Sequence, residues 1–373
     1  MIKKIGLSLL APVLAFAFAV AVAALALLAV GVNPIEAFGL MWDFASTSTS
    51  VASIINRSIP LYVSAVAVAI GFQMKLFNIG VEGQYLVAAI FAGWVGGSIA
   101  LWGPLHILVI VLVAAGVGAI WAGISGILKV TRGVNEVVST IMLNFIGFSV
   151  VGFFLGNFFS VDSGALNQST PPLPESGQLP GLNWIITSLG FSEPRGTELQ
   201  GFLIIAILIG VGYHLLVWKT RFGFELRASG MNPGAARMAG VNPKKMILYT
   251  MLISGGIAGM VGLSTMLGKL NAYTQDFPRG LGFAGIAVAL LGRNNAVGMA
   301  LGALLFGFME RSALILDLND IPKEVVQIIQ GVVVLAVVIA YEVVARFIKN
   351  REIKAASDAT KSSSPGQPEA VTA

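Results

Sequence analysis

The sequence predicts an all-α, polytopic membrane protein of about ten transmembrane helices, with both termini cytoplasmic and an inverted internal repeat. Three observations carry this. Apolar runs of about 20 residues, the length that spans a bilayer as a helix, recur along almost the whole chain. Of the 373 residues, 56% are hydrophobic and only 11% charged, with a mean hydropathy of +0.85, whereas a soluble domain carries about 25% charged residues. The basic residues are also asymmetric. When loops are assigned to alternate sides, every Lys and Arg except Arg57, Arg195, Lys269, Arg279, Arg311 and Lys323 falls inside, as the positive-inside rule requires.

In chain order, Lys3 and Lys4 precede a first span from about Ile5 to Val32, too long for the apolar core of a signal peptide. Residues 33–59 then lie outside, and a second span runs from Pro60 to Leu76. After the segment Phe77-Asn78-Ile79-Gly80-Val81-Glu82-Gly83-Gln84, a third span covers Tyr85 to Leu101, a fourth Leu105 to Leu128 and a fifth Val134 to Phe159. Residues 160–199 form a long, proline-rich outer loop containing Asp162, Glu175, Glu193 and Glu198. Spans six and seven, Gly201–Trp218 and Ile247–Leu267, flank a basic loop. Residues 268–280 are external. A short eighth segment, Leu281–Leu291, a ninth span from Ala296 to Ile315 and a tenth from Lys323 to Phe347 complete the membrane domain, residues 1–350. The tail 351–373 is low-complexity and predicted to be disordered in the cytoplasm. Glu136-Val137-Val138 opens span five and Glu324-Val325-Val326 opens span ten; the same spacing carries span two onto span seven, running the other way. Inverted repeats of this kind build a midplane transport site between two halves.

The basic loop, Lys219 to Met246, carries Lys219, Arg221, Arg227, Arg237, Lys244 and Lys245 against one acid, Glu225. Asn232-Pro233 reads as an N-cap with proline at the first helical position, Gly240 as a stop, and Asn242-Pro243 as a second start. The loop therefore predicts one or two short helices set against the spans. The plainer account is an ordinary basic loop with tidy helix ends.

Glu82 and Glu136 are the acids placed nearest membrane depth, where an ionisable group is a functional hypothesis by default. The competing account puts each at the cytoplasmic interface, solvated or paired with Lys75 or Arg132. Glu136, Thr140 and Asn144 recur every four residues and so share one face of span five, a stripe that either lines a path or glues helices together. Catalysis has no support: cysteine is absent, which excludes thiolate metal sites and thiol chemistry, and no carboxylate pair, His–Glu cluster, nucleophile elbow or phosphate loop occurs. The net charge of +5 reflects topology rather than nucleic-acid binding.

The segments FNIGVEGQ (77–84), GVNEVVSTIMLN (133–144), ELRASGMNPGAARMAGVNPKK (225–245) and ALLGRNN (289–295) together resemble the permease subunits of bacterial ABC importers for simple sugars, nucleosides and branched-chain amino acids. The Asn-Ile-Gly-x-Glu-Gly-Gln form is most similar to the nucleoside permeases that work with a basic-membrane-lipoprotein-type binding protein. The resemblance implies an inner-membrane location and a coupling helix over 223–240 that docks on an ATP-binding subunit. Arg227, Gly230, Asn232, Pro233, Ala235, Ala236, Arg237 and Gly240 would form it, the small residues allowing close contact. It places Asn78, Glu82, Gln84 and Asn144 by the substrate path, and implies a second, similar permease subunit and an extracytoplasmic solute-binding protein. The chain has no Walker A sequence, so it is expected to bind no cofactor; ATP and magnesium belong to the partner. A simple-sugar or amino-acid importer is the alternative within transport. An ion-coupled carrier or channel working alone is the alternative outside it.

Overall fold

The computed structural model describes residues 17–339 apart from 19, 30, 163–166, 320, 323 and 338, together with residue 346. Lys3 and Lys4, the first part of the first predicted span, the end of the tenth and the tail from 351 lie outside the described residues. The chain divides into two compact units, residues 35–326 and residues 1–34 with 327–373.

Among the described residues every regular element is helical; the one extended pairing is an isolated bridge between Ser169 and Thr274. The helices are α1 (Val20–Ala29), α2 (Pro34–Ala45), α3 (Ser48–Gln73), α4 (Val81–Ser98), α5 (Gly103–Arg132), α6 (Glu136–Phe154, continued by a π turn Leu155–Phe159), α7 (Asn183–Ser188), α8 (Phe202–Lys219), α9 (Arg221–Met231), α10 (Pro233–Met238), α11 (Pro243–Gly259), α12 (Leu263–Thr265, followed by a π turn Met266–Leu270), α13 (Leu281–Leu291) and α14 (Ala296–Asp317), with α15 (Glu324–Val337). Six of these are long and apolar enough to cross a membrane: α3, α5, α6 with its π turn, α8, α11 through residue 270, and α14. Counting α1 with α2 as one span makes seven. The other predicted spans fall on α4, which carries Glu82 and Gln84, on the short apolar α13 and on α15. In the smaller unit, Ala23 and Leu27 bury one stripe of α1.

Two boundaries differ from the sequence reading. Residues 33–59 are largely helical; they make α2 and the first half of α3, so the helix of the second span begins well before Pro60. Thr47 caps α3 by accepting from the Ser50 amide, and Pro60 sits inside the helix instead of opening it. A cap 13 residues upstream of the proline, hidden in a Ser/Thr cluster that reads as loop, outweighs the one hydrogen bond that Pro60 cannot make. Likewise α4 starts at Val81, before Tyr85, so Glu82 stands in a helical first turn. There a carboxylate is favoured by the unpaired amides of the helix end.

In the larger unit α3 and α11 pack on each other. α3 also packs on α13 and α14, as α11 packs on α4 and α5, while α6 covers α4. The α5–α11 crossing is close because Ala114, Gly118 and Ala122 of one helix face Gly255 and Gly259 of the other. A Cβ on any of these glycines would run into the opposing backbone or Ala122. In a bilayer, where apolar side chains gain little from leaving lipid, such small-residue contacts supply the packing that joins helices.

The loop 160–199 is not slack. Its first half is stitched to residues 267–275 by backbone hydrogen bonds from the Leu179 amide to the Leu267 carbonyl, Leu173 to Asn271, Thr170 to Tyr273, and Gln275 back to Gln168. Its far end is held by Asn56 of α3, whose Nδ2 donates to the Glu198 carbonyl while its Oδ1 accepts from the Gln200 amide.

Candidate translocation site

The break between α3 and α4 is the most polar point of the interior. Asn78, Glu82, Gln84, Thr140 and Asn144 are all at most 2% exposed. Asn78 and Gln84 form a reciprocal amide pair: Asn78 Nδ2 donates to Gln84 Oε1 at 3.0 Å and Gln84 Nε2 to Asn78 Oδ1 at 2.8 Å. Asn78 also donates to Ser254 Oγ on α11 and accepts from the Gly80 amide, and Ser254 passes its own proton to the Ala67 carbonyl of α3. This one network therefore ties α3, α4 and α11. From α6, Asn144 clamps the break from both sides, accepting from the Gly83 amide at 2.8 Å and donating to the Ile79 carbonyl at 2.9 Å. A side chain on Gly83 would strike Asn144, so glycine there is required by the closeness of α4 and α6.

Glu82 joins the two short helices end to end. Its Oε1 accepts from the Gly280 amide at 2.6 Å and from the Tyr85 hydroxyl at 2.9 Å; its Oε2 accepts from the Gly282 amide at 2.8 Å. Gly280 is the N-cap of α13 and takes φ +89°, which opens its amide to the acid. The carboxylate thus stands at the N-termini of both α4 and α13, where two sets of unpaired amides and two helix dipoles favour negative charge. Neither Lys75 nor Arg132 is its partner.

Glu136 pairs with Lys129, one turn before the end of α5, instead of Lys75 or Arg132. Thr140 donates to the Glu136 carbonyl of its own helix. The stripe of Glu136, Thr140 and Asn144 is therefore buried; Thr140 packs against Gly80, and Asn144 alone of the three hydrogen-bonds to the broken segment.

Three charged residues belong to the helices although the sequence reading places Arg57 and Arg311 outside and passes over Glu310. Glu310 and Arg311 lie within α14, and Arg57 lies within α3. Arg57 Nη1 is 3.5 Å from Glu310 Oε2, and Arg311 donates to Ser50 Oγ while its guanidinium sits 4.6 Å over the Phe44 ring. The signal was present as Met-Glu-Arg inside the apolar run of span nine. Beside them, α3, α8 and α14 enclose an apolar cleft of about 560 Å³, with His214, Tyr62 and Asn295 on its walls. Arg279, in the non-helical segment before α13, lies with its guanidinium 5.8 Å from the Phe148 ring of α6.

The basic loop folds as the spacing predicts. Asn232 caps α10, accepting from Gly234 and Ala235 with Pro233 at the helix start; Gly240 takes φ +81° after it, and Asn242 caps α11. Of the residues expected to couple, Arg227 donates to the Val217 carbonyl and stacks on Trp218. Gly230 is buried where α9 crosses the end of α3, and a Cβ there would meet the backbone of Gln73 and Met74 at 2.7 Å. Ala236 is buried, whereas Asn232, Pro233, Ala235, Arg237 and Gly240 are exposed. Leu226 roots the segment in a cluster with Met74, Leu76, Met246 and Met251. Met231 and Met238, 71% and 92% exposed, belong to the same outward surface and were not anticipated.

Residues 50–338 match the family model described as "Branched-chain amino acid transport system / permease component". The guanosine ABC transporter permease protein NupP of Bacillus subtilis is 35% identical over 94% of this chain and 98% of its own length. The glucose ABC transporter permease protein TsgB13 of Haloferax volcanii is 31% identical over 95% of this chain and 92% of its own. The nucleoside ABC transporter permease protein NupB of Lactococcus lactis is likewise 31% identical, over 95% and 97%. No solved structure matches. With multiple membrane-spanning helices, a family match over most of its length and these relatives, the chain is a multi-pass membrane protein that belongs to the ABC transporter permease family.

Proposed function

We propose that this chain is the nucleoside-translocating permease subunit of an ABC importer. The observation that carries the reading is the near-complete alignment with a guanosine permease and a nucleoside permease. The comparably long match to a glucose permease keeps a sugar substrate as the second reading. ATP and magnesium would be bound, and ATP hydrolysed, by a separate cassette subunit; a second permease chain and a solute-binding protein would complete the assembly. Two relatives from one organism, the Bacillus subtilis permeases NupP and NupQ, are both named for guanosine, which supports a paired arrangement.

In this reading ten helices cross the membrane as two inverted halves with both termini cytoplasmic. The mutual packing of α3 on α13 and α14, and of α11 on α4 and α5, supports such a pseudo-twofold. Asn78, Glu82, Gln84 and Asn144 frame the path: their polar atoms are spent on one another and on backbone, so they fix the broken segments beside the substrate. Glu136 and Thr140 anchor the same wall. Closure of the cassette dimer would push on the surface of Asn232, Pro233, Ala235, Arg237, Met231 and Met238. Arg227 and Gly230 brace that surface on α8 and α3, so the push reaches the transmembrane helices as a rigid movement. The deciding experiment is uptake of labelled guanosine, uridine, glucose and leucine by cells lacking the chain and by the same cells with it restored. Restoration of guanosine and uridine alone is expected; restoration of glucose alone would replace the substrate.

A further inference from the structure

An arginine level with the middle of a membrane-spanning helix has no place against hydrocarbon, and Arg279 lies against the middle of α6. α6 with its π turn is a 24-residue candidate span, about 36 Å long at 1.5 Å per residue, and Phe148 lies at its middle. The guanidinium of Arg279 is over that ring. A second chain of contacts fixes the same level: Asn144 of α6 holds Gly83, and the neighbouring Glu82 holds Gly280, the residue after Arg279. Arg279 is exposed, as is Phe283 on the first turn of α13. Among the described residues Arg279 enters no ion pair. By contrast, Asn78, Glu82, Gln84 and Asn144 spend their hydrogen bonds within the protein. Arg279 adds beside them an exposed, planar, donor-only cation next to aromatic rings.

We infer that Arg279, with Phe148, forms the base-recognition site of the path and selects purine nucleosides carrying a 6-oxo group, of the guanosine type. The inference rests on the nucleoside reading above. A base has a π face that stacks on phenylalanine or guanidinium whatever its identity. The edge discriminates: guanine offers two adjacent acceptors, O6 and N7, that match the fork of an arginine, whereas adenine turns an amino donor towards it. Phe148 would hold any base, and Arg279 would choose among them.

The test uses the assembled transporter in proteoliposomes, with labelled guanosine, adenosine and uridine in parallel. Arg279→Lys and Arg279→Met should lower the ratio of guanosine to adenosine uptake about tenfold or more, the loss expected for one bidentate contact. Phe148→Leu should slow all three substrates alike. A ratio unmoved in Arg279→Met overturns the assignment while leaving the nucleoside reading standing; a wild type that moves no nucleoside removes both. The chain contains no cysteine, so Arg279→Cys gives a unique thiol whose readout does not depend on turnover. A membrane-impermeant methanethiosulfonate should label it from water, and guanosine should protect it. A thiol that stays unreactive would place Arg279 against lipid or a second permease subunit and overturn the proposal.

Discussion

Glu82 is stable at membrane depth because its two oxygens accept from two backbone amides and a tyrosine hydroxyl. Charge-assisted bonds of this kind are worth about 1.5–3 kcal/mol each, and a buried donor left without its acceptor costs a further 1–3 kcal/mol. Glu82→Gln turns one acceptor into a donor aimed at Gly280 or Gly282. It should destabilise the transporter by roughly 2–4 kcal/mol, read as a lower melting temperature in detergent, with little change in KM for the transporters that remain folded. An unchanged melting temperature with a tenfold higher KM would make the acid a substrate contact instead. Asn144→Leu should be similarly destabilising, because it orphans the Gly83 amide and the Ile79 carbonyl together. This residue-level chemistry was only half legible in the sequence. That Asn78, Glu82, Gln84 and Asn144 matter could be read from polar groups in a glycine-broken apolar context. Their partners could not, since the Gly280 amide lies 198 residues from Glu82 and no local pattern encodes that distance.

Among the elements, legibility follows how local the determining interactions are. Asn232, Gly240 and Asn242 were readable because a cap and a left-handed stop are made by residues two or three positions apart. The start of α3 was misread because Pro60 looks like an initiator while the real cap hides in a run of Ser and Thr. Arg57, which lies inside α3, was consequently assigned to a loop. The crossings of α5 on α11 and of α9 on α3 depend on glycines whose role appears only when the facing backbone is known. They also yield predictions. Gly255→Leu should force α5 from α11 and sharply lower the amount of folded protein in the membrane, as measured by fluorescence-detected size exclusion. Gly230→Leu should lift α9 from the end of α3 and cut uptake at least tenfold while ATP hydrolysis by the partner continues. Full uptake in that variant would show that α9 need not be braced on α3. Arg237→Glu, on the exposed side of α10, should weaken capture of the ATP-binding subunit without changing the melting temperature.

For the molecule as a whole, α3 and α11 are the two central helices. Each packs on the other and on a short helix and a long one, so a force applied at α9 and α10 has a direct route into the interior. Six helices clear the length and hydropathy expected of a span; α4, as long as α8 but less apolar, and the eleven-residue α13 do not, and their N-termini meet at Glu82. The fold class was legible from composition and run length alone, because lipid imposes helix on any chain with so few charges. Which short apolar runs cross fully is decided by packing between distant segments, and there the sequence gives only the pattern of breaks.

That meeting of α4 and α13 has a consequence for how the protein is made. α13 has eleven residues, too few to settle in a bilayer unaided. Glu82 emerges from the ribosome long before the amides that will hold it. Throughout that interval the first half must keep a carboxylate hydrated inside a nascent bundle, and α13 can be seated only when the acid is there to receive it. Biogenesis is then checkpointed by one residue. A chain stopped after α6 should be a substrate for membrane proteolysis, while co-expression of the two severed halves should rescue both only if Glu82 is intact.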